Sequence, residues 1–260
     1  MTSLPLASVV LVVLVVTAAG AVNGIAGFGF ALVGTLVLAG VLDPATAVAF
    51  MIVPILAVNA TLARDLSGPQ LRTCGRRFRP LLLAALLGTA VGMALLDVLP
   101  ADGVRIGLGL LAIGFVATAQ RRIRIPGLDR AKAGCFVERP AAMVAVGAVS
   151  GIIFGATNVG VQLVAYLRSC QLSHALFVGV VAMVFLGLNT VRIGLAAAFG
   201  LYGDLAVFAL SLGAIVPAVL GVEIGRRLRT RVSDRRRRQF VLGLLTLIGV
   251  RLLLAGAGIA

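Results

Sequence analysis

Apolar stretches about 20 residues long recur along the chain and constrain its fold more than any other feature. Hydropathy marks them at 4–22, 44–63, 80–98, 104–119, 174–198, 205–224 and 239–258. About 20 apolar residues cross the hydrocarbon core of a bilayer as a helix. Hydrophobic residues make up 60% of the chain and charged residues 12%, against about 45–50% and about 25% in soluble domains. The sequence therefore predicts an all-α polytopic integral membrane protein.

The formal net charge of +14 is confined to a few segments between the apolar stretches. Nearly all basic residues lie in 64–79, 121–139 and 226–238, and the one lysine is Lys132. Short basic loops between spans are typical of the cytoplasmic side of a membrane. We therefore interpret the charge as a signal of orientation and of contact with anionic lipids, not of nucleic-acid binding. The predicted location is the bacterial plasma (inner) membrane, with these loops in the cytoplasm.

The cysteines and the N-terminal residues do not indicate a covalent framework, a bound group or a cleaved signal. Cys74, Cys135 and Cys170 share no short motif spacing, so we expect no disulfide framework, no metal site and no cofactor. The first residues lack a basic segment, so the stretch 4–22 is expected to persist as a span and not as a cleaved signal.

Glycine interrupts two further apolar stretches, 24–42 and 141–167. Glycine destabilises a helix interior by about 1 kcal/mol per position, so these helices are expected to be broken or very closely packed. Each stretch follows or contains the same short motif, because Gly20 to Ile25 matches Gly147 to Ile152 at five of six positions. Further matches in the same order pair Asn59 with Asn189, Gly92 with Gly221 and Leu108–Leu111 with Leu242–Leu245. The order of these matches indicates an internal duplication.

The arginine bias of equivalent loops changes sides between the two halves. Segment 64–79 has five arginines and its counterpart 199–204 has none, whereas 97–105 has one and its counterpart 226–238 has many. If arginine-rich loops stay in the cytoplasm, the repeats are inverted and each half crosses an odd number of times. A parallel repeat of four spans each is the alternative. The predicted organisation is a first transmembrane repeat at 1–125, a basic cytoplasmic linker at 126–140 and a second repeat at 141–260.

The glycine-rich breaks are the predicted binding site. Irregular backbone in a membrane survives only where protein or a watery cavity satisfies it, and the N-termini of half-helices bind anions. We expect a small anionic solute to bind where Asn23 to Phe30 meets Ser150 to Gln162. Asn59 and Asn189 could bind the solute or join helices, and Arg192 could line an anion path or reach the interface. The alternative is that the glycines only permit tight helix packing. The predicted substrate-binding residues are Asn23, Gly24, Gly27, Phe28, Gly29, Phe30, Asn59, Ser150, Gly151, Thr157, Asn158, Gly160, Gln162, Asn189 and Arg192.

The run Asn23-Gly24-Ile25-Ala26-Gly27-Phe28-Gly29-Phe30-Ala31-Leu32, followed by Asp43-Pro44 and a span with Asn59, resembles the sulfite exporter TauE/SafE family of membrane transporters. The second half is similar through Gly151–Tyr166, Asn189–Arg192 and Pro217–Arg227, so the resemblance covers nearly the whole chain. It implies transport of sulfite, sulfoacetate and related organosulfur anions. Thr35 stands where the family usually has proline, and Asn158–Val161 replaces the usual Gly-Gly-Pro.

The predicted function is therefore export of a small organic or sulfur-containing anion such as sulfite or a sulfonate. The alternative is a membrane scaffold or assembly factor without transport activity. Catalysis is not expected, because the one serine–histidine pairing in apolar surroundings is Ser150 with His174, and Ala148 stands where a rhomboid-like Gly-x-Ser-Gly needs glycine. No carboxylate lies alone in the middle of a span, which argues against cation coupling.

Overall fold

The computed structural model describes residues 6–26, 29–63, 68–119, 139–169, 174–203, 205–229, 231 and 233–259. Within these ranges all regular secondary structure is helical. The helices are α1 (Leu6–Ala26), α2 (Phe30–Ala39), α3 (Pro44–Ala63), α4 (Gly68–Arg77), α5 (Arg79–Val98), α6 (Ala101–Ala119), α7 (Pro140–Thr157), α8 (Val161–Ser169), α9 (His174–Ala198), α10 (Leu205–Gly213), α11 (Ile215–Arg229) and α12 (Asp234–Gly256).

Six stretches of helix in the described ranges are long and apolar enough to cross a membrane: Pro44–Ala63, Arg79–Leu96, Pro140–Thr157, Gly179–Ala198, Leu205–Arg229 and Gln239–Gly256. Two shorter apolar helices, Val9–Ile25 and Phe30–Ala39, accompany them. Five of the six long stretches present large apolar side chains at the surface, such as Leu87 at 73% exposure and Leu205 at 79%, whereas Pro44–Ala63 is buried or half-buried throughout. Such surfaces are stable in lipid and not in water. The prediction of an all-α polytopic membrane protein is confirmed.

Each glycine-rich stretch begins with a closely packed helical part and is interrupted further along the chain. Helix α1 continues through Gly20 and Gly24, and α7 continues through Gly147 and Gly151. The backbone leaves the helix only near Gly29, which has φ 103°, and near Asn158, which has φ 60°. Positive φ is the left-handed region in which a helix ends and the chain turns. Both outcomes expected from the glycines, close packing and a break, therefore occur in succession along each stretch.

The glycines of α1 and α7 allow another helix to approach backbone to backbone. A Cβ atom added at Gly20 would lie 2.5 Å from the carbonyl oxygen of Ala218 in α11, and one added at Gly147 would lie 2.5 Å from the carbonyl oxygen of Leu81 in α5. No real side chain fits at such distances. Association of helices in lipid depends on this kind of close packing, because the lipid tails remove the hydrophobic driving force. The pairs α1–α11 and α5–α7 are thus built on small residues.

The chain divides into two compact units, and each contains helices from both halves of the sequence. The first comprises Met1–Val58, Pro100–Val116 and Tyr202–Ala260, and the second comprises Asn59–Leu99 and Ala117–Leu201. The pair α1–α11 lies in the first unit and the pair α5–α7 in the second. The duplication, the inversion and the repeat boundaries remain predictions.

Proline in α3 releases a backbone acceptor that another helix satisfies. Pro54 lies inside α3, and its missing N–H group leaves the carbonyl oxygen of Phe50, four residues earlier, without its usual helical donor. The buried hydroxyl of Ser211 in α10 donates a hydrogen bond to that oxygen. Unsatisfied backbone groups cost several kcal/mol in a membrane. This bond therefore stabilises the packing of α10 against α3 within the first unit.

The basic segment 64–79 contains a short helix, although the sequence predicts a loop there. Helix α4 is polar, and Arg76 and Arg77 lie in its last turn, where positive charge interacts favourably with the helix dipole. Phe78 follows it and is fully buried, with the guanidinium carbon of Arg77 5.7 Å from its ring centre. This aromatic side chain fixes the junction of α4 and α5 in the second unit.

Candidate functional site

The break between α7 and α8 is formed by two polar side chains that end α7. The Thr157 hydroxyl donates to the carbonyl oxygen of Ile153 at 2.5 Å and accepts the N–H of Val159 at 3.1 Å. Asn158 adopts the left-handed conformation, and its N–H donates to the carbonyl oxygen of Phe154 at 2.9 Å. Asparagine is one of the few residues that tolerate this conformation. The break is therefore specified by Thr157 and Asn158.

Arg192 of α9 lies against this break and is fully buried, at 0% exposure. One terminal nitrogen, Nη1, donates to Oδ1 of Asn158 and, at 3.1 Å, to Oδ1 of Asn189. The other, Nη2, donates to the carbonyl oxygen of Gly155 at 3.2 Å. The guanidinium carbon lies 4.7 Å from the ring centre of Phe154, within cation–π distance. The guanidinium of Arg192 is thus held against the end of α7, and its role in an anion path remains a prediction.

The acceptors named above are oxygen atoms of amides. They satisfy hydrogen bonds and carry only partial charge. A cation inside an apolar span is unfavourable by about 2.5–3.5 kcal/mol on insertion scales and is usually functional. Part of this penalty is offset structurally, since the Gly155 carbonyl belongs to the last turn of α7, where the helix dipole is negative.

Asn189, Gly160 and Gln162 complete the surroundings of the break. The amide nitrogen of Asn189 donates to the carbonyl oxygen of Phe185 at 2.8 Å, which orients its oxygen toward Arg192. A side chain at Gly160 would collide with the ring of Phe185. Oε1 of Gln162 is buried and has no hydrogen-bond partner among the described residues. A buried amide oxygen of this kind is an available acceptor beside the break.

Gly151 faces helix α5 and not the break, and Ser150 beside it is buried. Ser150 is 1% exposed. A Cβ atom at Gly151 would meet the backbone of Ala85, and the Gly151 carbonyl accepts a hydrogen bond from the Thr89 hydroxyl at 3.3 Å. These contacts give Gly151 a packing role, and the part of Ser150 and Gly151 in binding solute remains a prediction.

The first half of the chain forms a second break, between α1 and α2. Asn23 is 6% exposed, and its Oδ1 accepts the N–H of Phe30 at 3.3 Å. Gly29 precedes α2 in the left-handed conformation, and Gly24 packs against the backbone of α11. The predicted site residues Gly27 and Phe28 lie outside the described residues.

The two helices that carry the paired asparagines differ in charge three residues further along. Asn59 is half-buried in α3, and Leu62 follows it by three residues, whereas Arg192 follows Asn189 by three. The structure brings together Thr157, Asn158, Asn189 and Arg192 within the second unit. Asn23 and Phe30 belong to the first unit, so their predicted meeting with Ser150 to Gln162 remains a prediction.

Sequence reasoning did not identify two partners of Arg192, the Gly155 carbonyl and the Phe154 ring. Both precede Asn158 by about one helical turn, so both lie on its face of α7. That spacing was the available signal. A backbone carbonyl acceptor cannot be recognised from the residue type, and one phenylalanine is not distinctive in so apolar a chain.

Apolar helices long enough to span a bilayer, together with a hydrogen-bonded guanidinium buried inside one helical unit, define a polytopic membrane protein with an internal polar site. The family model "Sulfite exporter TauE/SafE" matches residues 12–252. The chain therefore belongs to the sulfite exporter TauE/SafE family of membrane transporters, which confirms the family predicted from its glycine motifs. Searches of curated proteins and of solved structures found no match.

Proposed function

We propose that this transporter exports a small organic or sulfur-containing anion, such as sulfite or a sulfonate, and that the anion binds at Arg192. The observation that carries the proposal is the complete burial of this guanidinium among amide oxygens inside an apolar helix. Family membership supports transport, and the positive charge supports an anionic solute. We define the arginine site as Gly155, Asn158, Asn189 and Arg192.

The hydrogen bonds of the arginine site suggest how a solute is recognised. Bonds between a guanidinium and an oxyanion are about twice as strong as bonds to neutral acceptors. An arriving anion would therefore replace Oδ1 of Asn158 on Arg192 and keep the bond to Asn189. Because Asn158 also ends α7, the exchange would separate the end of α7 from α9. Binding of the anion would then be coupled to movement of the break between α7 and α8.

The start of α8 adds to the attraction for anions. Helix α8 begins at Val161, three residues after Asn158, and its first N–H groups carry the positive end of the helix dipole. Gln162 lies in this first turn with its buried amide oxygen. A protonated oxyanion, such as hydrogen sulfite, could donate a hydrogen bond to that oxygen. This half-helix arrangement is common in transporters with broken helices.

Export of an anion needs no coupled cation when the cell interior is negative. A membrane potential contributes about 2.3 kcal/mol per elementary charge per 100 mV. A dianion moving outward at that potential gains roughly 4.6 kcal/mol, which supports a gradient of more than a thousandfold. A proton could also travel on the solute itself: a dianion with one proton still moves one charge, whereas a monoanion with one proton moves no charge, and its rate would not depend on the potential.

Flux through reconstituted liposomes tests the proposal. We expect efflux of a radiolabelled sulfur oxyanion, sulfonate or short organic acid, and a change of rate with a potential set by valinomycin. Asn158→Leu and Asn23→Leu should abolish flux while the protein still inserts. Thr190→Leu is the matched control, because this exposed hydroxyl bonds only the carbonyl of Leu186 in its own helix, at 2.8 Å.

Each negative outcome has a distinct meaning. Unchanged flux in Asn158→Leu and Asn23→Leu would move the site away from both breaks. Indifference to the potential would indicate electroneutral transport. No flux with any anion would favour the scaffold alternative.

A further inference from the structure

An apolar groove lies between α2 and α12 in the first unit, away from the arginine site. Its volume is about 170 Å³. Gly40, at the end of α2, has no side chain and leaves the groove open beside α12. The lining residues are Leu36, Val37, Gly40, Leu244, Leu247, Ile248, Arg251 and Leu252.

Arg251 is the one charged residue of this lining. It is exposed, and it makes no ion pair or hydrogen bond with any residue that the structure describes. Two other arginines of the first unit are paired: Arg105 with Asp102 at 2.8 Å and Arg227 with Glu223 at 3.1 Å. An exposed cation on an apolar membrane helix needs an anion or water nearby. Arg251 therefore presents an unmatched charge at the edge of an apolar groove.

The position of Arg251 along α12 places its charge near the end of the span. It precedes Gly256, the last residue of the helix, by five residues, or about 7.5 Å at 1.5 Å per residue. A long arginine side chain spans that distance toward the headgroup level and keeps its methylene groups on apolar surface. The apolar lining residues Leu244, Leu247 and Ile248 lie one to two turns deeper along the same helix.

We propose that this groove is a binding site for an anionic phospholipid. The acyl chain lies along Leu36, Leu244 and Ile248, and the phosphate receives hydrogen bonds from the guanidinium of Arg251. Charge complementarity favours an anionic lipid over the two alternatives. A zwitterionic lipid has a cation next to its phosphate, and a second protein copy would bring its own Arg251 close to this one. The inference does not depend on the transported solute.

Lipid retention measured by native mass spectrometry tests the site. The full chain is released from nanodiscs that contain equal amounts of phosphatidylglycerol and phosphatidylcholine of the same acyl length. The wild-type protein should retain phosphatidylglycerol in preference. Arg251→Gln should reduce that preference about fivefold, the effect of one basic residue near a membrane surface. Arg251→Lys should keep most of it.

Three further variants separate the contribution of the headgroup from that of the acyl chain. Gly40→Leu should reduce retention of both lipids, since the added side chain projects toward Arg251, whose guanidinium carbon is 4.0 Å from a Cβ built at Gly40. Gly243→Leu, on α12 with open space around it, should change neither, and Arg236→Gln, near the start of α12, should leave the preference intact.

Equal retention of the two lipids by the wild-type protein would overturn the proposal. An unchanged lipid preference in Arg251→Gln would also overturn it. A dimer in the mass spectrum that Gly40→Leu dissociates would do the same, because a dimer of this kind would assign the groove to a second copy of the protein.

Discussion

Asn158→Asp separates an anion-binding role of Arg192 from a purely structural one. The two side chains have the same shape, and both tolerate the left-handed conformation that this position requires. Oδ1 of Asn158 already accepts a hydrogen bond from Arg192, so the substitution places a full negative charge in contact with the buried guanidinium. The fold should therefore keep its stability, whereas the positive field available to a solute should be cancelled.

The size of the effect follows from the contact geometry. Two unit charges about 4 Å apart interact by about 4 kcal/mol at an effective dielectric constant of 20. A solute anion that competes for the same N–H groups must overcome an attraction of that order, reduced by the desolvation of the new pair. We expect the initial rate of anion efflux at low substrate concentration to fall by at least about a hundredfold.

The assay is efflux from liposomes, combined with thermal unfolding of the purified variant. Asn158→Gly is the matched control: it keeps the left-handed backbone and removes the acceptor without adding charge. It should lose about 1.5–3 kcal/mol of stability, the usual contribution of a hydrogen bond to a charged group, but less transport than Asn158→Asp. Full transport in a stable Asn158→Asp protein would refute an electrostatic role for Arg192 and leave it as a structural cap of α7.

Three further predictions concern the fold and its orientation. Ser211→Ala should lower the free energy of unfolding by about 1–3 kcal/mol, because it leaves a buried carbonyl of α3 without a donor; chemical denaturation in detergent measures this. Gly151→Leu should prevent stable assembly, since its side chain would overlap the backbone of α5, whereas Gly107→Leu, which has open space around it, should assemble normally in size-exclusion chromatography. Single cysteines at Gly68 and Leu205 in a cysteine-free protein should react with an impermeant maleimide from opposite sides of the membrane; reaction from one side would contradict the inverted repeat.

Local features of the fold were predictable from the sequence because they depend on neighbouring residues. The apolar stretch 44–63 coincides with α3, since membrane helices are defined by apolar length. Helix α9 coincides with the apolar stretch 174–198, and the spacing of Glu223 and Arg227 is typical of the ion pair that they form. The glycine motifs identified the close packing, because glycine acts through its own missing side chain, whereas the break after α7 is formed by Thr157 and Asn158.

Partner choice between helices was not predictable, because it depends on residues far apart in sequence. The sequence register aligns Gly92 with Gly221 as equivalent positions, but it does not reveal that Gly92 packs against Gly155 and Gly221 against Gly20. The burial of Arg192 was likewise open, because a nearly uniform apolar helix shows no preferred face. In such helices tertiary packing, and not periodicity, decides which side chains turn inward.

The pairing of α1 with α11 also constrains how the protein is made. Gly20 enters the membrane about 200 residues before Gly221, its packing neighbour, is synthesised. At about 5–20 residues per second, α1 waits roughly 10–40 seconds for its partner. During that interval its small-residue surface faces lipid or the insertion machinery. Biogenesis must therefore retain an early, weakly packed helix until the end of translation, and a ribosome stalled before α11 would leave α1 without the contact that fixes its place.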